Sequence, residues 1–389
     1  MSTSRLGLFT RPIAIPALAL LAAGCVEFAP YPKAERPLPV AGKAVERVEP
    51  IHPNRFVVAS ADEQVIGTPQ VVLTGETDTL SDLAREYGLG YDEIIAANPT
   101  VDPWLPGVGV PVLLPTEYVL PDVPREGLVL NIASRRVFYF PDTPVSGDDA
   151  GQVVLTFPIG IGRVGWETPL GQTRVISKAV DPTWYVPASV RREHAEMGNP
   201  LPAVVPPGPD NPLGNRVLKL DMPGYLIHGT NQPYGVGMRV SHGCVRLYPE
   251  NIEWLFDLVE VGESVRIINE PYLLGRRDDE WYFEGHAPLE DDDVDPADRL
   301  ESLLEKYDLE PALANHVRSI ASIANGVPAR LEAFDAVEVL ARARQVKNTV
   351  EIDPDAPTLE EVREMIDEAV AEAESSDAAG SSAGAGEGN

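Results

Sequence analysis

The sequence is short of cysteine, of positive charge and of long apolar runs. Its 389 residues include two cysteines, Cys25 and Cys244, so a framework of several disulfides is excluded. The formal net charge of −29 at pH 7 argues against nucleic acid as a partner, because its phosphates would be repelled. The CxxC and HExxH spacings of common zinc sites are missing. The composition therefore favours neither a disulfide-stapled protein nor a nucleic-acid-binding one.

The sequence contains enough hydrophobic residues for more than one hydrophobic core. Hydrophobic residues make up 44% and charged residues 23%, as in soluble globular proteins, and 389 residues exceed one ordinary domain. The acidity is uneven, since residues 285–389 hold 25 Asp and Glu against 8 Lys and Arg. We therefore predict several domains, with most of the negative charge in the C-terminal part.

The N-terminus has the layout of a secretory signal. Arg5 and Arg11 precede an apolar run, Ile13–Ala22, which is too short to span a bilayer as a stable helix. The leader ends in "LLAAGC", which resembles a bacterial lipobox with Cys25 as the lipidated residue. This resemblance implies removal of residues 1–24 and anchoring through acyl chains on Cys25. The alternative is an ordinary secretory signal with an incidental cysteine.

Val26 follows Cys25, at the position where many inner-membrane lipoproteins carry aspartate. By the same resemblance we predict a lipid-anchored protein in the periplasm of a Gram-negative bacterium, held at the inner leaflet of the outer membrane. Lipidation of Cys25 would leave Cys244 as the chain's only thiol.

The rest of the chain divides into five segments by composition and periodicity. They are a proline-rich tether (25–68), a small β-α-α-β module (69–116), a mainly β domain (124–272), an acidic α-helical region (285–374) and a disordered tail (375–389).

The module reads as "QVVLT", two helical stretches in "TLSDLAREYGLG" and "YDEIIAANP", and then "VPVLLP". It resembles a LysM module in the order of these motifs, which implies binding to peptidoglycan glycan. Two departures from the pattern, Gly75-Glu76-Thr77 before Asp78 and Val110-Pro111 at the second strand, leave the alternative of a spacer domain open.

The 124–272 segment alternates in the manner of β-strands, with one clear helix in "ENIEWLFDLVEVG". Pro249 suits the first turn of that helix, and Ile252, Leu255, Phe256 and Val259 mark its buried side. We therefore predict a mainly β domain rather than a doubly wound α/β fold. Beyond Trp281 the pattern becomes helical, through "DRLESLLEKYD", "PALANHVRSIASIANG", "PARLEAFDAVEVLARARQ" and "TLEEVREMIDEAVAEAES".

One stretch, Tyr225–Leu247, holds two of the six histidines and Cys244. This stretch has three possible interpretations besides catalysis: a zinc site, a buried structural cluster or a redox thiol. The neighbouring glycines, Gly229 and Gly243 among them, favour a backbone that turns tightly beside a ligand. A fourth reading, a cysteine nucleophile, needs a nearby base to lower the pKa of the thiol, and His228 lies 16 residues before Cys244. The carbonyl of Gly229 is a candidate for fixing the tautomer of that imidazole.

The segment "HGTNQPYGVGMRVSHGCVRL" resembles the signature of the L,D-transpeptidases, which have a YkuD-like catalytic domain. That signature is a histidine followed, at a limited distance, by S/T-H-G-C-hydrophobic-R. "ETPLGQTRV" and "PAVVPPGPDNPLG" are similar to further segments of the family. Together with the LysM-like module, the resemblance covers about residues 70–271 and points to the ErfK/YbiS-type enzymes. It implies a YkuD-like β-sandwich for the catalytic domain.

The resemblance also implies a role for each residue of the motif. Cys244 is the nucleophile, His228 is the general base and acid, and Gly229 supplies the orienting carbonyl. The amides near Gly243 and Cys244 form the oxyanion hole. Ser241 and His242 shape the loop.

Three further polar residues lie in or beside the motif. Arg246 either binds a carboxylate of the substrate or braces the loop, and Asn231 and Arg239 are weaker candidates for substrate binding.

The implied reaction is acyl transfer from a peptidoglycan tetrapeptide stem. Cys244 attacks the bond between meso-diaminopimelate and D-Ala, D-Ala leaves, and an amine takes the acyl group. The product is a 3→3 crosslink or an outer-membrane lipoprotein attached to the wall. No metal or other cofactor is implied, and carbapenems are expected to acylate Cys244. The alternatives are an L,D-carboxypeptidase or a hydrolase that releases wall-bound lipoprotein and, from another class, a non-catalytic wall-binding lipoprotein.

Overall fold

The computed structural model describes residues 54–60, 62–142, 151–333 and 338–346. All of them belong to one compact unit that spans residues 47–389. The leader with Cys25, most of the tether, the last expected helix and the tail lie outside the described residues. Among the helices of the described ranges, none combines the length and the apolar character needed to cross a membrane.

The described part is mainly β, as predicted. The strands are β1 (Arg55–Val58), β2 (Val65–Gly67), β3 (Gln70–Leu73), β4 (Pro111–Leu114), β5 (Glu117–Val119), β6 (Gly127–Asn131), β7 (Arg136–Phe140), β8 (Gln152–Pro158), β9 (Ile161–Gly162), β10 (Gly171–Val180), β11 (Trp184–Tyr185), β12 (Val204–Val205), β13 (Arg216–Leu220), β14 (Leu226–His228), β15 (Arg239–Ser241), β16 (Val245–Arg246), β17 (Ser264–Ile268), β18 (Tyr272–Arg277), β19 (Glu280–Gly285), β20 (Ala329–Arg330) and β21 (Arg344–Gln345). The helices are α1 (Leu80–Glu86), α2 (Tyr91–Ala97), α3 (Ala188–Glu196), α4 (Pro249–Leu258), α5 (Pro296–Tyr307), α6 (Pro311–Ile320) and α7 (Glu338–Arg342).

A nine-stranded sheet carries the central domain, in the order β1-β8-β7-β6-β17-β10-β13-β14-β16. The ten-residue strand β10 joins its two halves. Its first residues pair with β17, its last residues pair with β13, and the register shifts between Val175 and Ser177. Such an irregularity bends a strand and increases its twist.

One hydrophobic cluster is filled from both halves of this sheet. Leu128 and Phe157 come from one half, and Leu218 and Ile227 from the other. Helix α4 closes the cluster with Ile252 and Leu255, and Val259 just after it is also buried, as the periodicity predicted. Phe256 is only partly buried.

Strands β3 and β4 pair antiparallel and enclose α1 and α2, so residues 70–114 run strand, helix, helix, strand. This unit packs against the central sheet through buried polar contacts. The guanidinium of Arg136 on β7 pairs with Glu93 of α2 at 2.7 Å, and the Tyr248 hydroxyl donates to the Leu89 carbonyl. The unit is therefore fixed on the domain that follows it.

The region after the central domain differs from the prediction of helices alone. Strands β18 and β19 form a hairpin whose two turn residues, Asp278 and Asp279, have φ of 53° and 65°. These angles belong to a tight primed turn, which Asp tolerates. Helices α5 and α6 follow as predicted.

The helix expected over 328–345 is found only as α7, between the short strands β20 and β21. β21 pairs in parallel with β3, so the end of the described chain adds a third strand to the sheet of β3 and β4.

Candidate active site

A cleft of about 490 Å³ opens at the end of the central sheet, between β14, β16 and the segment that carries α3. Its lining residues are Trp166, Trp184, Pro187, Ser189, Val190, His194, Leu201, Val205, Asp210, Pro212, Leu213, Pro223, Gly224, Tyr225, His228, Asn231, Gln232, Ser241, His242, Cys244 and Arg246. The cleft thus brings together most of the polar residues singled out in the sequence.

The pairing of β14 with β16 explains why three of these side chains share one face. The strands are parallel, with Ile227 opposite Val245, and both of these side chains lie in the main core. Because side chains alternate along a strand, His228, Cys244 and Arg246 project from the other face. This is the face that borders the cleft.

His228 is the base that this geometry provides. It is only 3% exposed, and its Nδ1 lies 2.6 Å from the Gly229 carbonyl, which therefore occupies the orienting position suggested by the sequence. Burial, together with the nearby charge of Arg246, lowers the pKa of His228 to about 3, and backbone hydrogen bonds with Gly229 and Leu213 oppose this only in part. The imidazole is neutral at pH 7. With its proton on Nδ1, it keeps Nε2 as an acceptor.

Cys244 is partly exposed in the cleft and near the backbone of the preceding strand. Its Sγ lies 3.7 Å from the Gly224 carbonyl. Burial raises the pKa of the Cys244 thiol, while a hydrogen bond from the Leu226 amide and the charge of Arg246 oppose the rise. The sequence led us to expect a lowered thiol pKa. The structure gives the opposite direction, so the thiol and the imidazole that share this cleft are both neutral at rest.

The loop before Cys244 is held by Ser241. The Ser241 hydroxyl donates to the Cys244 carbonyl at 2.5 Å and accepts from the Gly243 amide at 3.2 Å. Gly243 has φ of 96°, a conformation that favours glycine. The Gly243 amide is thus engaged within the loop, although the sequence placed it among the oxyanion donors. Of the two amides named there, that of Cys244 remains as a candidate.

Thr168 is a site residue that sequence reasoning missed. It lies in the "ETPLGQTRV" segment, is 5% exposed, accepts from the Gly162 amide and donates to the Gly243 carbonyl, each at 3.0 Å. It therefore joins the strand end at Gly162 to the loop that presents Cys244. The resemblance of that segment to the family was the signal, but only the fold shows what the threonine contacts.

His242 contacts helix α3 rather than the thiol. Its Nε2 lies 2.7 Å from Glu193, which also pairs with Arg163, and Trp166 meets the imidazole edge-on at 4.8 Å between ring centres. The hydrogen bonds from Arg163 and His242 lower the pKa of Glu193 to about 2. His242 is therefore a supporting residue that ties α3 to the loop. Glu193 was not among the predicted site residues.

The three remaining candidate residues do not all lie in the cleft. Arg246 and Asn231 line the cleft, whereas Arg239 is absent from its lining. The guanidinium of Arg239 pairs with Asp291 at 2.7 Å and donates to the Gly162 carbonyl, so it joins β15 to the region after the central domain. The prediction of Arg239 as a substrate contact is not supported by this position.

The chemistry available in the cleft is that of a thiol and a base. Across the described ranges, no three His, Cys, Asp or Glu side chains are grouped so that they could hold a metal ion. A neutral imidazole that shares a cleft and a strand face with a partly exposed thiol is placed to remove the thiol proton as the sulfur attacks a carbonyl, and to return it to a leaving amine.

Comparison with known proteins gives a consistent result. The YkuD family, described as the L,D-transpeptidase catalytic domain, matches residues 125–267. The probable L,D-transpeptidase YbiS of Escherichia coli K12 is 42% identical over 230 residues, which cover 58% of this chain and 72% of that protein. The probable L,D-transpeptidase ErfK/SrfK of Salmonella typhimurium is 40% identical over 230 residues, with coverages of 58% and 72%.

Solved structures include the catalytic domain from the E. faecium L,D-transpeptidase. It is 23% identical, with a TM-score of 0.28, and the match covers 38% of this chain and all of that one.

Proposed function

Because the chain belongs to the L,D-transpeptidase family, and is thus a cysteine-dependent acyltransferase, we propose that its substrate is the tetrapeptide stem of peptidoglycan. The single observation that carries this proposal is the shared face of His228 and Cys244 in the cleft. The family membership selects the substrate, and the geometry assigns the roles.

In the first step the Cys244 sulfur attacks the carbonyl of meso-diaminopimelate that precedes D-Ala. His228 takes the thiol proton as the carbon–sulfur bond forms, since a thiol with a raised pKa must lose its proton during the attack. The carbon–nitrogen bond to D-Ala then breaks. His228 gives the proton to the departing amine, and a thioester remains on Cys244.

The negative charge on the attacked oxygen needs hydrogen-bond donors. The Gly243 amide already donates to Ser241, so we assign the Cys244 amide to this task. Thr168 fixes the Gly243 carbonyl and thereby the peptide plane that holds the Cys244 amide, and Ser241 fixes the Cys244 carbonyl in the next peptide plane.

In the second step an amine attacks the thioester and takes over the acyl group. A diaminopimelate side chain gives a 3→3 crosslink, and a lysine of an outer-membrane lipoprotein gives a protein attached to the wall. If water replaced the amine, the enzyme would be an L,D-carboxypeptidase or would release lipoprotein from the wall. We propose transfer, in line with the family's name.

The test is incubation of the full-length protein with purified sacculi, followed by muropeptide analysis. Wild type is expected to release D-Ala and form new dimers, and Cys244→Ala to do neither. Tripeptides without dimers would show hydrolysis instead. Unchanged muropeptides with the wild-type protein, under conditions where it remains folded, would overturn the proposal.

For the domains we propose the following assignments. The two halves of the central sheet form a YkuD-like β-sandwich, residues 69–116 are a LysM-like module that binds glycan, and residues 285–374 are an acidic appendage. A sacculus pull-down with Cys244→Ala, compared with the same protein carrying Trp104→Ala, tests the module. Trp104 is 56% exposed and its ring lies near that of Tyr91, as a sugar-stacking site would require.

We further propose that Cys25 is lipidated and anchors the protein at the inner leaflet of the outer membrane, in the periplasm. The expected result is membrane-fraction protein for wild type and soluble periplasmic protein for Cys25→Ala. Recovery of the Cys25→Ala protein in the membrane fraction would contradict the anchor.

A further inference from the structure

The cleft contains one arginine, Arg246, that forms no ion pair with a carboxylate of the described residues. Among the described residues that line it, Arg246 is the only Lys or Arg and Asp210 is the only acid. Within the described ranges the Arg246 guanidinium has no hydrogen-bond or ion-pair partner, and its Nε is buried without one. In a chain with a net charge of −29, a half-buried arginine that pairs with no acid in the described ranges is unusual.

An unpaired guanidinium is costly to keep in such a place. Burying a charge without a partner is unfavourable, because the charge loses part of its hydration and gains nothing in exchange. Arg246 also does not brace the loop, because its side chain contacts no loop carbonyl among the described residues. Only its backbone is engaged, through reciprocal hydrogen bonds with Gly160. The side chain is therefore arranged to receive a partner that comes from outside the protein.

The position of Arg246 limits which group this partner can be. Arg246 follows Cys244 by two residues on the same strand face and stands opposite His228 in the register of β14 and β16. Two residues of a strand span about 6.6 Å, and the charge of Arg246 acts on the Cys244 thiol, so the guanidinium lies near the sulfur that attacks the substrate carbonyl. In a tetrapeptide stem, the carboxylate nearest to the attacked carbonyl is that of the terminal D-Ala.

We propose that Arg246 binds the terminal carboxylate of the donor stem and so selects stems in which the leaving D-Ala is the last residue. This inference rests on the proposed function and specifies the donor for the same site. A planar guanidinium can hold a carboxylate through two parallel hydrogen bonds, which fixes orientation as well as position. In a pentapeptide stem the same position is a neutral amide, which leaves Arg246 unpaired.

The experiment compares three purified donors with the full-length protein. The first is a disaccharide tetrapeptide with a free D-Ala carboxylate, the second ends in D-alaninamide, and the third is amidated at the diaminopimelate side-chain carboxyl. Release of D-Ala or D-alaninamide gives kcat/KM for each. The variants are Arg246→Gln and Arg246→Lys. The matched control is Arg174→Gln, which removes an exposed arginine that does not line the cleft.

With wild type we expect the free acid to exceed the D-alaninamide donor by roughly 30- to 100-fold in kcat/KM, the usual range for losing a charged hydrogen-bonded pair. Arg246→Gln should lower the free-acid value by about the same factor relative to the D-alaninamide value, because the loss of its charge also acts on His228 and Cys244 but does so equally with either donor. Arg246→Lys should recover part of the loss, and Arg174→Gln should match wild type.

Three outcomes would overturn the proposal. Equal use of the acid and the D-alaninamide by wild type would show that the terminal carboxylate is not recognised. An equal loss by Arg246→Gln on both donors, with an unchanged melting temperature, would assign Arg246 a role other than carboxylate binding. An effect of Arg246→Gln that disappears only with the third donor would assign the side-chain carboxylate instead.

The proposed function can fail separately. If wild type releases nothing from any donor while Cys244 still reacts with a thiol reagent, the transpeptidase substrate is wrong. If the wild-type protein releases D-Ala and Cys244→Ala does not, the proposed function is supported, independently of the results for Arg246.

Discussion

Two arginines on the central sheet differ in what surrounds them. Arg136, 1% exposed, pairs with Glu93, donates to the Gly88 carbonyl and lies 4.2 Å from the ring centre of Tyr118. Arg246, in the cleft, has none of these contacts among the described residues. Arg136 is part of the contact between β7 and the unit of β3, α1, α2 and β4. Arg246 borders the nucleophile.

The partners of a buried charge indicate whether it serves stability or ligand binding. A charge with every partner inside the protein stabilises a contact, and removing it leaves its buried partner uncompensated. A charge with no partner costs free energy in the empty enzyme, and such a cost is common at functional sites, where stability is traded against activity. The following predictions test this contrast between the cleft and the packed contact.

The largest effect is expected in the cleft, from His228→Gln. Glutamine keeps much of the imidazole's volume but cannot take the thiol proton, so kcat for D-Ala release should fall roughly 10²- to 10⁴-fold. The melting temperature should change little. Activity of the variant within about threefold of wild type would remove His228 from the reaction.

The second effect concerns stability. Arg136→Gln leaves Glu93 buried without its partner and should lower the free energy of unfolding by about 3–5 kcal/mol. Arg246→Gln is the matched comparison and should leave that free energy within about 1 kcal/mol of wild type, or raise it slightly. Urea denaturation measures both. If the two variants lose the same stability, the contrast between the two arginines is wrong.

Thr168→Val tests a smaller effect inside the active-site loop. The near-isosteric change leaves the Gly162 amide and the Gly243 carbonyl without their partner, which should cost about 1–3 kcal/mol of stability and lower kcat more than it changes KM. Thr173→Val is the control, because the buried Thr173 hydroxyl has no partner among the described residues. Equal behaviour of the two variants would contradict a positioning role for Thr168.

The pH profile is expected to be nearly flat on the acid side. The pKa of His228 is lowered to about 3 and that of Cys244 is raised, so neither group changes its protonation state between pH 8 and 5. The rate of D-Ala release should stay within about twofold over this range, whereas an ordinary histidine with a pKa of about 6.5 would lose about 30-fold by pH 5. A decline with a midpoint near 6.5 would show that the imidazole is solvated in the working enzyme.

The smallest effect is expected at an exposed ion pair. Arg85 of α1 and Glu250 of α4 approach to 2.8 Å, with both side chains nearly half exposed. Arg85→Gln should therefore cost only about 0.2–1 kcal/mol, measured in a double-mutant cycle with Glu250→Gln. A coupling energy above about 2 kcal/mol would mean that this pair, like Arg136 with Glu93, holds the packed contact together.

Much of this architecture follows from sequence pattern alone. The alternating strands predicted a mainly β domain, and Pro249 with the spacing of Ile252 and Leu255 predicted α4. The motif from His228 to Arg246 predicted the nucleophile and its base, because thiol chemistry needs these residue types close together.

The remainder depends on contacts between distant segments. No local sequence pattern predicts that Arg239 forms an ion pair with Asp291 or that Glu193 contacts His242. The direction of the Cys244 pKa depends on burial, which spacing does not contain. The hairpin of β18 and β19 was missed because its turn uses two Asp residues rather than the Asn-Gly or Asp-Gly that mark such turns most strongly.

The parallel pairing of β21 with β3 has a consequence for how the chain is made. Val346 packs onto the core between β3, β4, α1 and α2, yet it is synthesised long after them. About 230 residues separate it from β4, so at about 5–20 residues per second it emerges roughly 10–50 s later. The sheet of β3 and β4 is therefore complete only after the last described residues have been synthesised, and a protein truncated after the catalytic domain would expose the edge of β3.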